Sequence, residues 1–309
     1  MKTKKLLTCL NKYFCDPSYR LNVNMLLGLY RKMDDKEFLE NAYFCKFGKQ
    51  LDLVNPETFN EKLQWLKLND HNPLYTVMVD KVLARQYVAE KIGEQHLIPL
   101  IGVWESPEDI DFSLLPDQFA MKCNHNSGLG MCICSDKSKI NIEKVKNALK
   151  RGLKQDYYQL WREWPYMNVP PKIIAEQYIE SDTGGLTDYK VHCFNGEPKL
   201  ILVCKDRFSE TGLTEDFFSP EWVHLDIRRP LHPNAVNHIE KPEELQEMLS
   251  LAKTLSESIP FLRVDFYIVE HHIYFSELTF FPASGFEKFV PEKWDRILGE
   301  WVSLPIQQE

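Results

Sequence analysis

The chain has 309 residues, 44% of them hydrophobic and 27% charged, which excludes a disordered chain, a coiled coil or a fibrous repeat and leaves room for two cores. Its 37 Lys and Arg against 45 Asp and Glu give a formal charge of −8, a poor balance for a general nucleic-acid binder. An anionic small molecule would need a locally positive or metal-containing pocket.

The start, Met1-Lys-Thr-Lys-Lys-Leu-Leu-Thr-Cys-Leu10, imitates a secretion signal, but Asn11, Lys12 and Asp16 break the apolar stretch. No segment reaches membrane-spanning length, so a cytoplasmic location with ATP at hand is expected. The eight cysteines are scattered without a C-x-x-C pair and read as reduced core thiols. Cys132 and Cys134 share a strand face, the wrong spacing for a zinc knuckle.

Residues 1 to about 100 read mainly as helices. In Asn55-Pro-Glu-Thr-Phe-Asn-Glu-Lys62, polar capping residues precede Phe59, Leu63 and Leu66 at helical spacing. A second helix is expected from Asp80 to Ile92, stopped by Gly93, followed by a buried strand from Leu97 to Trp104. Strands are then expected at Gln118–Cys123, Met131–Ser135 and Lys172–Ile179, with a Lys-rich helix at Asn141–Lys154 and a turn at Asp182–Gly185. Asp188–Phe194 and Pro198–Lys205 form a hairpin about Asn195-Gly196, a strong turn signal. An amphipathic helix at Glu243–Ser258 leads to strands Leu262–Val269 and Ile273–Thr279. Strands separated by helices, with hairpins at the end, indicate an α+β or mixed α/β layering.

The last hairpin carries the most chemistry. A three-residue loop, Glu270 to His272, sets Val269 opposite Ile273. That register sets Asp265 opposite Glu277 and Arg263 opposite Thr279, all on one face. Facing carboxylates repel unless neutralised, and a hard cation such as Mg²⁺ does this with oxygen ligands. A solvated face, or neutralisation by Arg263 alone, is the plainer alternative. A one-residue slip would remove the pairing. The exit loop from Phe280 to Gly285 could present N–H groups to an anion or simply leave the sheet.

Lys122 lies in an apolar strand just before Asn126, Ser127, Gly128, Leu129 and Gly130. Such a loop can fold over phosphates with the ammonium as countercharge, although it is no Walker A loop and a strand-edge lysine is the plainer reading. Glu176, Gln177, Tyr178 and Ile179 end a strand whose backbone could meet an adenine edge. Asp188 and Lys190 share a strand face, and Lys205 and Arg207 add charge further on. Trp161, Trp164 and Tyr166 could stack on a sugar ring or pack a lid. The Lys-rich helix could steer an anionic glycan or be a solvated face.

In order and spacing these residues resemble the ATP-grasp superfamily, and most closely its TupA-like branch. The branch also shares Asn55–Lys62, Asp80-Lys81, Asp188-Tyr-Lys190 and Cys193-Phe-Asn-Gly196. The resemblance, over roughly residues 50–300, implies an ATP-grasp fold: two α/β subdomains clasping ATP, with a mainly helical N-terminal region. It divides the chain into residues 1–104, a nucleotide-binding subdomain at 105–180 and a metal-binding catalytic subdomain at 181–309. It implies ATP and Mg²⁺ as cofactors. Lys122, Ser127, Gly128, Gly130 and Lys190 would hold phosphates, the run Glu176–Ile179 adenine, and Asp188 ribose. Asp265, Glu277 and Thr279 would hold metal, with Thr279 where Asn is usual, and Pro282 to Gly285 resembles the trailing Pro-x-x-Gly. Arg263 and Lys190 would act on the reacting groups.

The implied reaction is carboxylate–amine ligation through an acylphosphate, joining an amine or amino acid to a sugar-acid carboxylate in cell-surface polysaccharide biosynthesis. Its partners would be that carboxylate, free or on a glycan, and the amine co-substrate, with no nucleic acid. The rival is a glycosyltransferase of capsule synthesis, for which Asp109-Ile-Asp111 offers a D-x-D pair. That pair sits in a polar connection rather than after an apolar strand, which favours a surface loop or helix cap.

Overall fold

A computed structural model describes residues 2–180, 185–205 and 212–305, with side chains from Thr8 onward. The turn read at 182–185 lies largely outside the described residues, and Arg207 wholly so. The chain opens with helices α1 (Lys2–Cys15), α2 (Pro17–Leu26), α3 (Asp35–Phe47), α4 (Phe59–Asn69), α5 (Leu74–Val79) and α6 (Ala84–Ile92). At α4 the Thr58 hydroxyl accepts the Glu61 N–H while the Glu61 carboxylate accepts the Thr58 N–H, a reciprocal capping box. The helix expected at Asp80–Ile92 starts only at Ala84. Asp80 ends α5 in extended backbone, and its carboxylate accepts the Val82 N–H and the Asn124 side-chain amide. Gly93 stops α6 with φ +98°, as a helix-stopping glycine should.

The first sheet contains β1 (Leu100–Trp104), β2 (Phe119–Cys123), β3 (Cys132–Cys134) and β4 (Ile173–Gln177), in the order β1-β4-β2-β3 and antiparallel throughout. β1 starts three residues later than expected, because Pro99 has no N–H to give the ladder. The first sheet thus reaches back to Leu100, ahead of the 105 boundary. Helix α7 (Ile142–Leu153), capped by Asn141, packs Leu149 against Phe119 and Met121, and the short α8 (Tyr158–Trp161) follows it.

The second sheet contains β5 (Asp188–Phe194), β6 (Glu197–Lys205), β7 (Thr214–Phe218), β8 (Phe261–Val269) and β9 (His272–Thr279), in the order β7-β6-β5-β8-β9, again antiparallel. Asn195 and Gly196 turn the first hairpin with φ of 51° and 81°, the left-handed pair that a tight two-residue turn needs. β7 was not legible in the sequence, since Glu215 and Asp216 make it look polar. Both are buried and paired, Glu215 with Arg229 and Asp216 with His224 and Asn234.

Helix α9 (Leu245–Leu255) lays Leu245, Met248, Ala252 and Leu255 on the back of this sheet, where Cys193, Leu262 and Val264 face it. The opposite face is left for charged side chains. Helix α10 (Lys293–Trp301) returns to α4, and a Cβ on Gly299 would lie 2.1 Å from the Glu57 carbonyl, so only glycine permits this approach. The eight cysteines are free thiols, but only Cys123, Cys134, Cys193 and Cys204 are buried, and Cys9 and Cys15 are exposed rather than in a core.

Candidate active site

A narrow crevice separates the two sheets. Lys122 of β2 and Glu176 of β4 line one wall, Glu277 of β9 the other, and Lys81 and Arg85 close one end. Five cations (Lys81, Arg85, Lys122, Lys190 and Arg263) and four carboxylates (Glu176, Asp188, Asp265 and Glu277) gather about it. Cations outnumber carboxylates there by one, in a chain whose formal charge is −8.

The structure brings Asp265 opposite Glu277 and Arg263 opposite Thr279. It does so by a different route from the one the sequence suggested. The turn has two residues, Glu270 and His271, both with positive φ, so Val269 faces His272. That register alone would set Asp265 opposite Ser276 and send Glu277 to the other face. A β-bulge between Phe266 and Asp265 takes up Ser276 and restores the pair.

The facing carboxylates are neutralised by protein cations. Arg263 donates from Nε and Nη2 to the two oxygens of Asp265, each at 2.7 Å, and Lys190 Nζ donates to Asp265 Oδ2 at 2.5 Å. Arg263 Nη2 also reaches Glu277 Oε1 at 3.3 Å and the Thr279 hydroxyl at 3.1 Å. Asp265 is buried, which raises its carboxyl pKa, but Arg263 and Lys190 outweigh burial and the net shift is downward. Burial opposes the charge on Lys190, yet Asp265 prevails and its pKa is raised. The alternative of neutralisation by Arg263 thus describes the geometry, with Lys190 as a second cation. Glu277 keeps the more open carboxylate, with about one-third of its side chain exposed (35%).

On the other wall Glu176 binds Arg85 at 2.7 Å and Lys122 at 2.9 Å. Its carboxylate is occupied, so only backbone remains for an adenine edge at this hinge. The Gln177 N–H already donates to the Pro99 carbonyl, and Tyr178 and Ile179 are half-buried.

Lys81 is a residue that the site assignment from sequence left out, although Asp80-Lys81 stood among the shared motifs. Its Nζ donates to the Asn126 carbonyl at 2.8 Å, at the stem of the glycine loop. Burial lowers its pKa, and Glu277 across the crevice is the largest opposing influence. Ser127 and Gly128 form the exposed tip of that loop. Gly130 is buried against the Cα of Gly152. The Tyr157 phenol, its pKa raised by burial, lies beside Ser127.

A sequence profile described as TupA-like ATPgrasp matches residues 61–303. The chain belongs to the TupA-like ATP-grasp family. Solved structures with which it shares similarity include D-alanine–D-alanine ligase from Bacillus anthracis complexed with ATP. There the identity is 16%, the alignment covers 66% of this chain and 53% of that one, and the TM-score is 0.39. For the Helicobacter pylori D-alanine–D-alanine ligase the values are 14%, 79%, 69% and 0.41. For the ATP-grasp ligase PsnB, complexed with a precursor variant, Mg and ADP, they are 9%, 82%, 64% and 0.39. The chain spans about half the length of the first of these ligases. No curated protein matches it.

Asp188 is buried on β5, on the same face as Lys190 and opposite Tyr267 of β8. The Pro282–Gly285 loop is more than an exit. Ser284 donates to the buried Glu163 at 2.6 Å, and its carbonyl accepts from Lys67 at 2.7 Å, while Ala283 and Ser284 hold positive φ. Lys67, pushed down to about 7 by burial, anchors this loop from α4. Trp161 packs on Phe38 and Phe286, and Trp164 on His71 and Tyr75, so both are packing residues. Tyr166 lines the crevice. Asp111 accepts the N–H and hydroxyl of Ser113 in its own turn, at the exposed connection between β1 and β2. No helix among the described residues is long and apolar enough to cross a membrane.

Proposed function

We propose that the protein is an ATP-dependent carboxylate–amine ligase working through an acylphosphate, joining an amino acid or other amine to a sugar-acid carboxylate during cytoplasmic cell-surface polysaccharide synthesis. The observation that carries this reading is the cluster of Arg263, Lys190, Asp265 and Glu277 facing Lys122 and Lys81 across one crevice in an ATP-grasp chain.

The donor chemistry suits Mg²⁺, with Glu277 the open ligand, whereas Asp265 and Thr279 would have to give up contacts with Arg263 and Lys190 to bind it. Asp265, Glu277 and Thr279 offer two carboxylates and a hydroxyl, hard oxygen donors that Mg²⁺ supplements with substrate phosphates and water. These three residues would hold the ion. When bound, Mg²⁺ neutralises phosphate oxygens during transfer. Thr279 lacks the amide of the usual Asn, and its hydroxyl accepts from Arg263 instead, which fixes the guanidinium.

Lys122 and Lys81 would hold the phosphates. A carboxylate oxygen of the acid substrate attacks the γ-phosphorus, and ADP leaves. The amine then attacks the acyl carbon, phosphate leaves and the amine gives up a proton. Arg263 would stabilise the oxygen charge that develops in both steps. The Ser127–Gly130 loop, seated on Gly152, would exclude water from the acylphosphate. Adenine would meet the backbone of Gln177 to Ile179, and Asp188 the ribose.

The test is a panel of uronic acids and amino acids incubated with ATP and Mg²⁺. Phosphate release together with a mass gain equal to amide formation supports the proposal. Sugar transfer from a sugar nucleotide without ATP would support the glycosyltransferase instead.

A further inference from the structure

Charge is distributed unevenly along this acidic chain. Residues 1–32 hold seven Lys and Arg and one Asp, a local charge of +6, while residues 33–309 hold 30 basic and 44 acidic residues, or −14. The same segment folds as α1 and α2 and leaves large apolar side chains in water. Phe14 is 71% exposed, Leu26 82%, Leu27 68% and Leu29 63%. These are not misplaced core residues, because α2 already buries Leu21 and packs Met25 against Phe38 and Leu39. Nor is the arm loose: Tyr13 donates to Asn24, and Arg20 reaches the Tyr13 and Phe14 carbonyls. Along α1, Leu10 and Phe14 lie four residues apart, with Lys12 between them.

We propose that the α1–α2 arm docks on an anionic lipid surface. Phe14, Leu26, Leu27 and Leu29 enter the headgroup boundary, and Lys12, Arg31 and Lys32 meet the acidic headgroups. Charge and apolarity together select this partner. A nucleic acid would use the charge but leave four large apolar side chains wet. A second copy of the arm would set +6 against +6. The arm would lie on the surface, since no helix among the described residues can span a membrane. None of these residues lines the crevice, so the proposal is independent of the ligase reading.

The test is vesicle co-sedimentation of the full chain. It should bind mixed phosphatidylglycerol–phosphatidylcholine vesicles about ten-fold or more tightly than pure phosphatidylcholine, and lose that preference at roughly 1 M salt. Phe14→Glu and Leu26→Glu should each weaken binding about ten-fold with an unchanged melting temperature. Lys12→Glu, away from any packed face, keeps the test open if an apolar variant fails to fold, and it should also weaken binding at low salt. Equal binding to both vesicle types, no binding to either, or variants that bind like the wild type would overturn the proposal. So would a wild-type dimer that Phe14→Glu dissociates, which would assign the apolar face to self-association.

Discussion

The guanidinium of Arg263 grips the carboxylate of Asp265, two residues along the same strand, through two hydrogen bonds of 2.7 Å. Lys190 adds a third bond to the same group, so Asp265 balances two largely buried cations. Asp265→Asn should therefore cost both stability, by about 3 kcal/mol, and turnover. Glu277→Gln is the cleaner probe. Its partly exposed side chain makes only long contacts, to Arg263 and to the Thr279 hydroxyl, so stability should change by less than about 1 kcal/mol while phosphate release falls about 100-fold or more. Thermal melts beside a phosphate-release assay separate the two effects. Wild-type turnover in Glu277→Gln would remove it from the reacting centre.

Lys122→Ala should raise the nucleotide dissociation constant roughly ten- to 100-fold in calorimetry, the loss of a charge-assisted contact. The fold should hold, because Glu176 retains Arg85. Lys81→Met should weaken nucleotide binding comparably and also release the stem of the glycine loop. Unchanged affinity in both variants would move the phosphates elsewhere.

His192 gives a pH signature. Burial, reinforced by Arg263, pushes its pKa down to about 3, against about 6.5 for an ordinary histidine. The unfolded chain takes up this proton as pH falls through about 6.5, and the native protein does not until about pH 3. The stability from this group is therefore complete above about pH 6.5 and is lost on acidification, at about 1.4 kcal/mol per pH unit. His192→Asn should show a shallower fall in melting temperature between about pH 6 and 4.5 than the wild type. Parallel curves would reject the assignment.

Two glycines of one loop should behave differently. A Cβ on Gly130 would meet Cys123 Sγ at 2.8 Å and the Gly152 Cα at 2.9 Å, at φ +74°. Gly130→Ala should destabilise by about 2–3 kcal/mol and lower nucleotide affinity by displacing the loop. Gly128 has φ +80° but nothing within 4 Å, so Gly128→Ala should cost only about 1 kcal/mol of backbone strain. Chemical denaturation of both variants decides. Equal losses would mean that the seat on Gly152 does not hold the loop.

Much of this site could be read from residue order because its parts lie close in sequence. Arg263, Asp265, Glu277 and Thr279 share one hairpin, and they share a face because the bulge at Ser276 compensates for a turn one residue shorter than the sequence suggested. The capping box at Thr58 and the turn at Asn195-Gly196 are equally local. What the sequence hid depends on distant partners. Glu176 looked available until Arg85, from a helix far earlier in the chain, proved to hold it. β7 looked like a polar connection because Arg229, His224 and Asn234, which satisfy its acids, come later. The extended backbone at Asp80 depends on Asn124, more than 40 residues on.

The bulge at Ser276 has a bearing on how this hairpin can vary. Two residues in the turn plus one bulged residue give the same juxtaposition of Asp265 and Glu277 as three residues in the turn and a regular ladder. At constant length the turn and the bulge trade against each other: a turn that takes in His272 must surrender the bulge. Loss of Ser276 itself would straighten the ladder and still leave Glu277 opposite Asp265, so this hairpin can shorten by one residue at the bulge without parting its two carboxylates.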